Sequence, residues 1–112
     1  LQRIASRKKI NMNMISGIGI DGQSWSAIPI DANGQVLGRT PIWMDTRAQA
    51  VCERVTQEIG KERIFNISGN ALYPTYSLPK ILWLKEHRPE TFAKATKFLQ
   101  SNSYIVYKLT GK

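Results

Sequence analysis

A glycine-rich segment near the start of the chain contains the residue types of a nucleotide-binding turn. Gly17, Gly19 and Gly22 give the spacing G-x-G-x-x-G. That spacing binds a pyrophosphate only where the glycines join a strand to a helix, so that the phosphate meets the helix N-terminus. Here Ile28 and Pro29 stand where that helix would have to run. We therefore interpret the glycines as small residues that let a buried strand pack closely against its neighbours.

A second group of residues with chemical potential follows a predicted strand end. Asp45 and Arg47 lie just after Trp43, and strand-to-helix turns are where α/β proteins place ligand contacts. Taken alone, Asp45 is better explained as the N-cap of a helix than as a ligand contact. Trp25, Trp43 and Tyr76 either belong to the core or form the walls of a pocket, and taken alone the core is favoured.

Cysteine and histidine are too few for several classes of site. Cys52 is the only cysteine and His87 the only histidine. The chain therefore has no internal disulfide, and we predict neither a zinc site nor a Cys-His nucleophile pair. Cys52 lies on the apolar side of a predicted helix, where it would serve as a small buried hydrophobe. The lone thiol and the lack of an apolar run of about 20 residues predict a cytoplasmic protein without a membrane span.

The charge of the chain leaves a binding function open. The 112 residues contain 16 Lys and Arg against 8 Asp and Glu, a net charge of +8. Such an excess is compatible with nucleic-acid binding, although the basic residues are spread along the chain and cluster only at 7–9. This alternative, a small basic nucleic-acid-binding module, requires Arg3, Arg7, Lys8 and Lys9 to share one face.

The elements that would position these residues begin with β-structure. Alternating apolar and small residues predict a buried strand over 14–20, and a second strand is predicted over 25–30. Asp31-Ala32-Asn33-Gly34 has hairpin-turn chemistry, because Asn-Gly readily supplies positive φ angles. A return strand should start at 35–37, so the first forty residues predict an antiparallel β unit.

Helices dominate the rest of the chain. Apolar residues at spacings of three and four predict a helix that Asp45 caps and Gly60 ends. A helix is predicted over 61–67, ending near Gly69, and another that Ser77 caps and Pro89 stops. The remaining segments are predicted as a short helix over 89–95, a strand over 97–100 and a helix over 104–109 that Gly111 ends. Strands followed by helices indicate an α/β or α+β fold class.

Several of these segments, taken in order, resemble the FGGY family of carbohydrate kinases. The resemblance covers nearly the whole chain from Ile15 onward, and five motifs occur in the family's order and spacing. They are GIDGQSW at 19–25, ID with NG at 30–34, IWMDTRA at 42–48, SGN followed by YSLPKILWLKEH at 68–87, and NSYIVY with LTG at 102–111.

The resemblance implies an enzyme that, with magnesium, transfers the γ-phosphate of ATP to a hydroxyl of a sugar or polyol. Family members have two actin-like, ribonuclease-H-like domains that close over a cleft. Residues 1–112 would form part of the N-terminal, sugar-binding domain. The catalytic base and the ATP-binding C-terminal domain would then lie beyond Lys112, so the piece alone should be inactive. A catalytically inactive relative used for interaction is a further alternative.

The resemblance also suggests which residues contact the sugar. It assigns this role to Gln23, Ser24, Trp25, Trp43, Asp45, Arg47, Thr75 and Tyr76. The runs at 43–48 and 73–83 are most similar to pentulose kinases, which favours a pentulose such as xylulose. Ser24 and Trp25 stand where many xylulose kinases have Met-His and glycerol kinases have Arg-Glu. We expect no metal ligand in this chain, no membrane partner, and a full-length protein that forms a homodimer.

Overall fold

A computed structural model describes residues 3, 6, 7 and 10–112 of the chain. Two residues of the basic cluster at 7–9, Lys8 and Lys9, lie outside the described residues. The shared basic face required for nucleic-acid binding therefore stays a prediction. Between residues 10 and 112 the structure has two strands and five α-helices. The elements are β1 (Ile28–Ile30), α1 (Gln49–Ile59), α2 (Lys61–Ser68), α3 (Ser77–His87), α4 (Pro89–Lys94), β2 (Lys97–Leu99) and α5 (Ser101–Thr110).

The β-structure is an antiparallel pair whose strands are distant in sequence. β1 pairs with β2 in the register Ile28 with Leu99 and Ile30 with Lys97. The predicted turn at 31–34 forms, but the predicted return strand contributes only a single bridge between Ile30 and Val36. One physical reason is Pro29, whose carbonyl accepts the Leu37 N–H from the return segment but which has no N–H to donate on that same edge of β1. Strand pairing is thus decided by a segment about seventy residues away (28 to 99).

The prediction of a buried strand over 14–20 is wrong. Met12–Met14 forms a single 3₁₀ turn, and the residues that follow are extended without a strand partner among the described residues. Ile18 is 56% exposed, and a Cβ placed on Gly17 or Gly19 would meet nothing within 4 Å. Of the three glycines in the G-x-G-x-x-G spacing, Gly22 alone approaches another element closely, because a Cβ there would lie 2.8 Å from Ser101 Oγ.

The C-terminal ends of three helices agree with the sequence. Gly60 ends α1 with φ 90° and its N–H bonds the carbonyl of Thr56. Gly69 ends α2 with φ 70°, and Gly111 ends α5 with φ 77°. Left-handed φ values of this kind are readily adopted by glycine and rarely by other residues. The predicted stops at these glycines are confirmed.

The two predicted N-caps are wrong. Ala48, not Asp45, occupies the N-cap position of α1, because the carboxylate of Asp45 accepts a hydrogen bond from the Arg47 N–H at 3.0 Å instead. Ser77 is the first residue of α3 and does not cap it. Its hydroxyl donates to the Ser26 carbonyl at 3.2 Å, across 51 positions of sequence.

The core lies where β1 and the loop before it meet α1 and α3. Its buried apolar side chains come from those segments, and Cys52 is among them as predicted. They are Ala27, Ile28, Ile30, Ala48, Val51, Cys52 and Leu84. α3 ends at His87, and Pro89 opens α4 at the first helical position, where proline is favoured. Among the described residues, no helix has both the length and the apolar character needed to cross a bilayer.

Candidate functional site

Two loops form a small open cavity that contains four of the predicted sugar contacts. Gln23, Ser24 and Trp25 come from the loop before β1, and Trp43 comes from the loop before α1. Together they line a cavity of about 220 Å³. Trp25 is 42% exposed and Trp43 45% exposed, so both indoles form the walls of a pocket and not the core.

The loop before α3 adds a second aromatic layer behind this cavity. The ring of Tyr76 lies 5.0 Å from that of Trp25 with a tilt of 42°. Tyr73 meets Tyr76 edge to face at 5.5 Å. Such tilted and edge-to-face pairs are favourable arrangements of aromatic rings. Thr75, which precedes Tyr76 in the chain, is half-buried. Its backbone carbonyl accepts a hydrogen bond from the ammonium of Lys80.

The backbone at Trp25 is unusual. Its φ is 62°, and it is the one non-glycine residue with positive φ among those that the structure describes. This conformation costs an L-residue about 1–2 kcal/mol, so it persists only where neighbouring contacts hold it. It turns the chain between the exposed loop and the buried run at 26–30, and it leaves the indole at the surface.

The loop that carries Trp25 is also fixed from the other end of the chain. Ser26 is buried, and its Oγ accepts the Ser101 N–H at 3.0 Å. In return the Ser101 hydroxyl donates to the Gln23 carbonyl at 2.7 Å. The first turn of α5 therefore holds the polar end of the cavity in place.

Asp45 and Arg47 bind each other and are not in the cavity. Arg47 Nε lies 2.8 Å from both carboxylate oxygens of Asp45, and the guanidinium covers the ring of Trp83 at 4.7 Å. Partial burial opposes ionisation of Asp45. Hydrogen bonds from Arg47 and the nearby Lys80 charge outweigh it and hold the pKa of the carboxyl below its usual range.

The structure adds one residue that sequence reasoning missed. Lys80, in the first turn of α3, is fully buried, and its ammonium donates to the backbone carbonyls of Trp25, Ile42 and Thr75. Burial lowers the pKa of Lys80, while Asp45 partly opposes that shift. The signal in the sequence was one charge within the otherwise apolar run at 78–84.

The lone cysteine and histidine take no part in the cavity. Burial, with Glu53 nearby, raises the pKa of the Cys52 thiol, so the thiol stays protonated and is a poor nucleophile. His87 stacks on Trp83 with ring centres 4.6 Å apart. Within residues 10–112 and the three described positions before them, no three acidic, histidine or cysteine side chains gather into a set that could hold a metal ion.

A model of the N-terminal domain of the FGGY family of carbohydrate kinases matches residues 1–112. The chain belongs to this family. Among its FGGY relatives, the xylulose kinase of Bacillus subtilis (strain 168) is 34% identical over 111 residues, which is 99% of this chain and 22% of the relative. The chain thus spans about a fifth of the length of the curated FGGY proteins that it matches.

Solved FGGY structures share the fold. A xylulose kinase from Brucella ovis superposes with a TM-score of 0.86 at 27% identity, over 99% of this chain and 22% of that one. A Plasmodium falciparum glycerol kinase with ADP superposes with a TM-score of 0.82 at 25% identity, over 98% of this chain and 23% of that one. The predicted fold class is confirmed: a mixed helix-and-strand piece of an actin-like FGGY N-terminal domain with antiparallel strands.

Proposed function

We propose that the full-length protein containing this chain transfers the γ-phosphate of ATP to a hydroxyl of a ketose or polyol. In this proposal, residues 1–112 form part of the sugar-binding N-terminal domain. The observation that carries the proposal is the open cavity in which two exposed indoles, Trp25 and Trp43, meet the polar side chains of Gln23 and Ser24. Selective small-molecule sites combine apolar walls with a few fixed polar groups in this way.

Each side of the cavity has a separate role in this proposal. The faces of Trp25 and Trp43 pack against sugar C–H groups, while Gln23 and Ser24 hydrogen-bond to hydroxyls. Tyr76 backs Trp25 and limits how far that indole can turn.

Three further predicted contacts have a less direct role. Thr75 acts mainly through its backbone, which holds the loop before α3. Because Asp45 and Arg47 form an ion pair with each other, we propose that their role is to hold the loop that carries Trp43 in place. They contact sugar only if their ion pair opens.

We propose a pentulose such as xylulose as the substrate. The relative from Bacillus subtilis is named a xylulose kinase, which supports this choice. Glycerol and gluconate kinases share the fold at similar identity, so the proposal depends on the side chains of this cavity. Ser24 and Trp25 are the positions where specificity would be set.

The phosphoryl transfer itself depends on parts of the protein outside these residues. We propose that ATP and magnesium bind there, together with the carboxylate that accepts the proton of the reacting hydroxyl. Closure of two domains over the cleft would exclude water, so that ATP is not hydrolysed. Residues 1–112 alone would then be inactive, and the full-length protein would work in the cytoplasm as a homodimer.

The decisive experiment is ADP release by the full-length protein with a panel of pentuloses, hexuloses and polyols. We expect release above the sugar-free background with one pentulose. Release with another sugar alone would overturn the pentulose assignment. No release with any of them would overturn the kinase proposal and favour an inactive relative.

A further inference from the structure

The ammonium of Lys80 connects three separate loops. It donates hydrogen bonds to the carbonyl of Trp25 at 2.8 Å and of Ile42 at 2.7 Å. A third hydrogen bond goes to the carbonyl of Thr75. A lysine ammonium has three N–H donors and no acceptor. All of its donors are therefore used on backbone oxygens, and the side chain has no contact with solvent.

Each acceptor lies at a residue of the candidate site or next to one. Trp25 carries one wall of the cavity, and Ile42 immediately precedes Trp43, which carries the other. Thr75 immediately precedes Tyr76, whose ring backs Trp25. Along the chain the acceptors are 55, 38 and 5 residues from Lys80. One buried charge thus fixes three aromatic residues relative to one another.

These loops depend on Lys80 because no ladder or helix satisfies the same carbonyls. All three acceptor residues lie outside helices and strands, and a buried carbonyl without a donor is unfavourable. Replacing the ammonium with an apolar group would leave the oxygens of Trp25 and Thr75 without this donor, and would leave the oxygen of Ile42 with only its turn hydrogen bond from the Asp45 N–H. We expect the loops to move apart to reach water.

We propose that Lys80 is a positioning residue for the sugar site, and that it sets substrate affinity through the relative placement of Trp25, Trp43 and Tyr76. This inference rests on the proposed function for its kinetic part only. It does not place Lys80 in contact with the substrate.

The kinetic test compares Lys80→Met with Leu84→Ala in the full-length protein. Leu84 is a buried residue one turn further along the same helix. Its truncation weakens α3 without touching the three carbonyls. We expect Lys80→Met to raise KM for the sugar at least about tenfold, since small misplacements of binding groups have large effects. KM for ATP should stay within about twofold, and Leu84→Ala should change neither constant.

A milder variant covers the case in which Lys80→Met does not fold. Lys80→Gln keeps two N–H donors, so its KM for the sugar should rise by less than that of Lys80→Met but still exceed wild type about threefold. An unchanged sugar KM in Lys80→Gln, or an equal rise in Leu84→Ala, would overturn the inference. An equal rise of KM for the sugar and KM for ATP in Lys80→Met would overturn it as well.

Hydrogen exchange without sugar separates this inference from the proposed function. Amides at 23–26, 42–44, 73, 75 and 76 should exchange at least about tenfold faster in Lys80→Met or Lys80→Gln than in wild type or Leu84→Ala. Faster exchange in a protein that phosphorylates no sugar would overturn the proposed function and support the positioning role. Unchanged exchange in an active protein would overturn the positioning role alone.

Discussion

The indole of Trp25 and the phenol ring of Tyr76 lie 5.0 Å apart, although 51 positions separate the two residues in sequence. One residue belongs to the loop before β1 and the other to the N-cap position of α3. Their contact joins two loops into one aromatic surface, and the open side of that surface faces the cavity with Trp43.

Truncation of Trp25 should weaken sugar binding selectively. In the full-length protein, Trp25→Ala is expected to raise KM for the sugar about tenfold, the equivalent of about 1.4 kcal/mol of lost contact. KM for ATP should stay nearly unchanged. Phe65→Ala, which removes another exposed aromatic ring on α2, is the control and should alter neither constant. Equal changes in both constants for Trp25→Ala would show that the indole has a structural role.

The left-handed backbone at Trp25 should be visible in stability. At φ 62° a glycine is not penalised, whereas an alanine is, by about 1 kcal/mol. We therefore expect Trp25→Gly to be more stable than Trp25→Ala by about that amount in urea unfolding. At Trp43, where φ is not positive, the order should reverse. The same order at both positions would contradict the assigned conformation.

The bond between Ser26 and the start of α5 should contribute to stability. Ser26→Ala leaves the N–H of Ser101 without its side-chain acceptor in a largely buried place. The expected loss is about 1–2 kcal/mol in the free energy of unfolding. Ser103→Ala, on an exposed position of the same helix, should stay within about 0.5 kcal/mol. Equally small losses of unfolding free energy in the two variants would show that the hydrogen bond between Ser26 and Ser101 does not contribute to stability.

Gly34 should not tolerate a side chain. Its φ is 73°, and a Cβ there would overlap the ring of Tyr107 on α5. Gly34→Ala is expected to lose at least about 1 kcal/mol of stability from the backbone alone, with the steric overlap in addition. Gly17→Ala, with nothing within 4 Å of the added carbon, should be near neutral. The measurement is the melting temperature of each variant in thermal unfolding, and equal melting temperatures for Gly34→Ala and Gly17→Ala would contradict the prediction.

The ion pair of Asp45 and Arg47 predicts a pH dependence with a defined sign. The pKa of Asp45 is lowered in the folded protein, so its carboxylate stabilises the fold fully above its unfolded value of about 4. That contribution is lost as the pH falls through the folded pKa. Arg47 is half exposed, which limits the effect to about 1 kcal/mol.

The measurement is the stability difference between wild type and Asp45→Asn. It should be constant from pH 7 to about pH 5 and shrink as the pH falls below the unfolded pKa and through the lowered folded pKa of Asp45. A difference that is equally large at pH 7 and pH 3 would show that Asp45 acts through its shape or hydrogen bonding and not through its charge.

Local features were predictable from the sequence because they depend on neighbouring residues. Gly60, Gly69 and Gly111 end helices through their own backbone freedom, and Cys52 is buried because the apolar spacing of α1 places it inward. The order of the motifs likewise led to the FGGY family, since motif order is a property of the sequence alone.

Features that involve a choice between partners were not predictable in this way. Asp45 could have capped the helix that follows it, but its carboxylate accepts from both the backbone N–H and the guanidinium of Arg47. Ser77 bonds to Ser26 and leaves α3 uncapped by a side chain. The predicted strand over 14–20 has the right pattern, but a strand forms only where a second strand lies alongside it.

The family, the C-terminal ends of the helices and a set of candidate sugar contacts thus follow from the order and type of residues along the chain. The folded arrangement determines that Trp25 and Trp43 share a cavity while Asp45 and Arg47 bind each other. It also decided that Lys80, an ordinary lysine by composition, is buried beneath the three loops. The physical reason is that hydrogen bonds between distant segments depend on which groups the fold deprives of water, and neither spacing nor residue type encodes that.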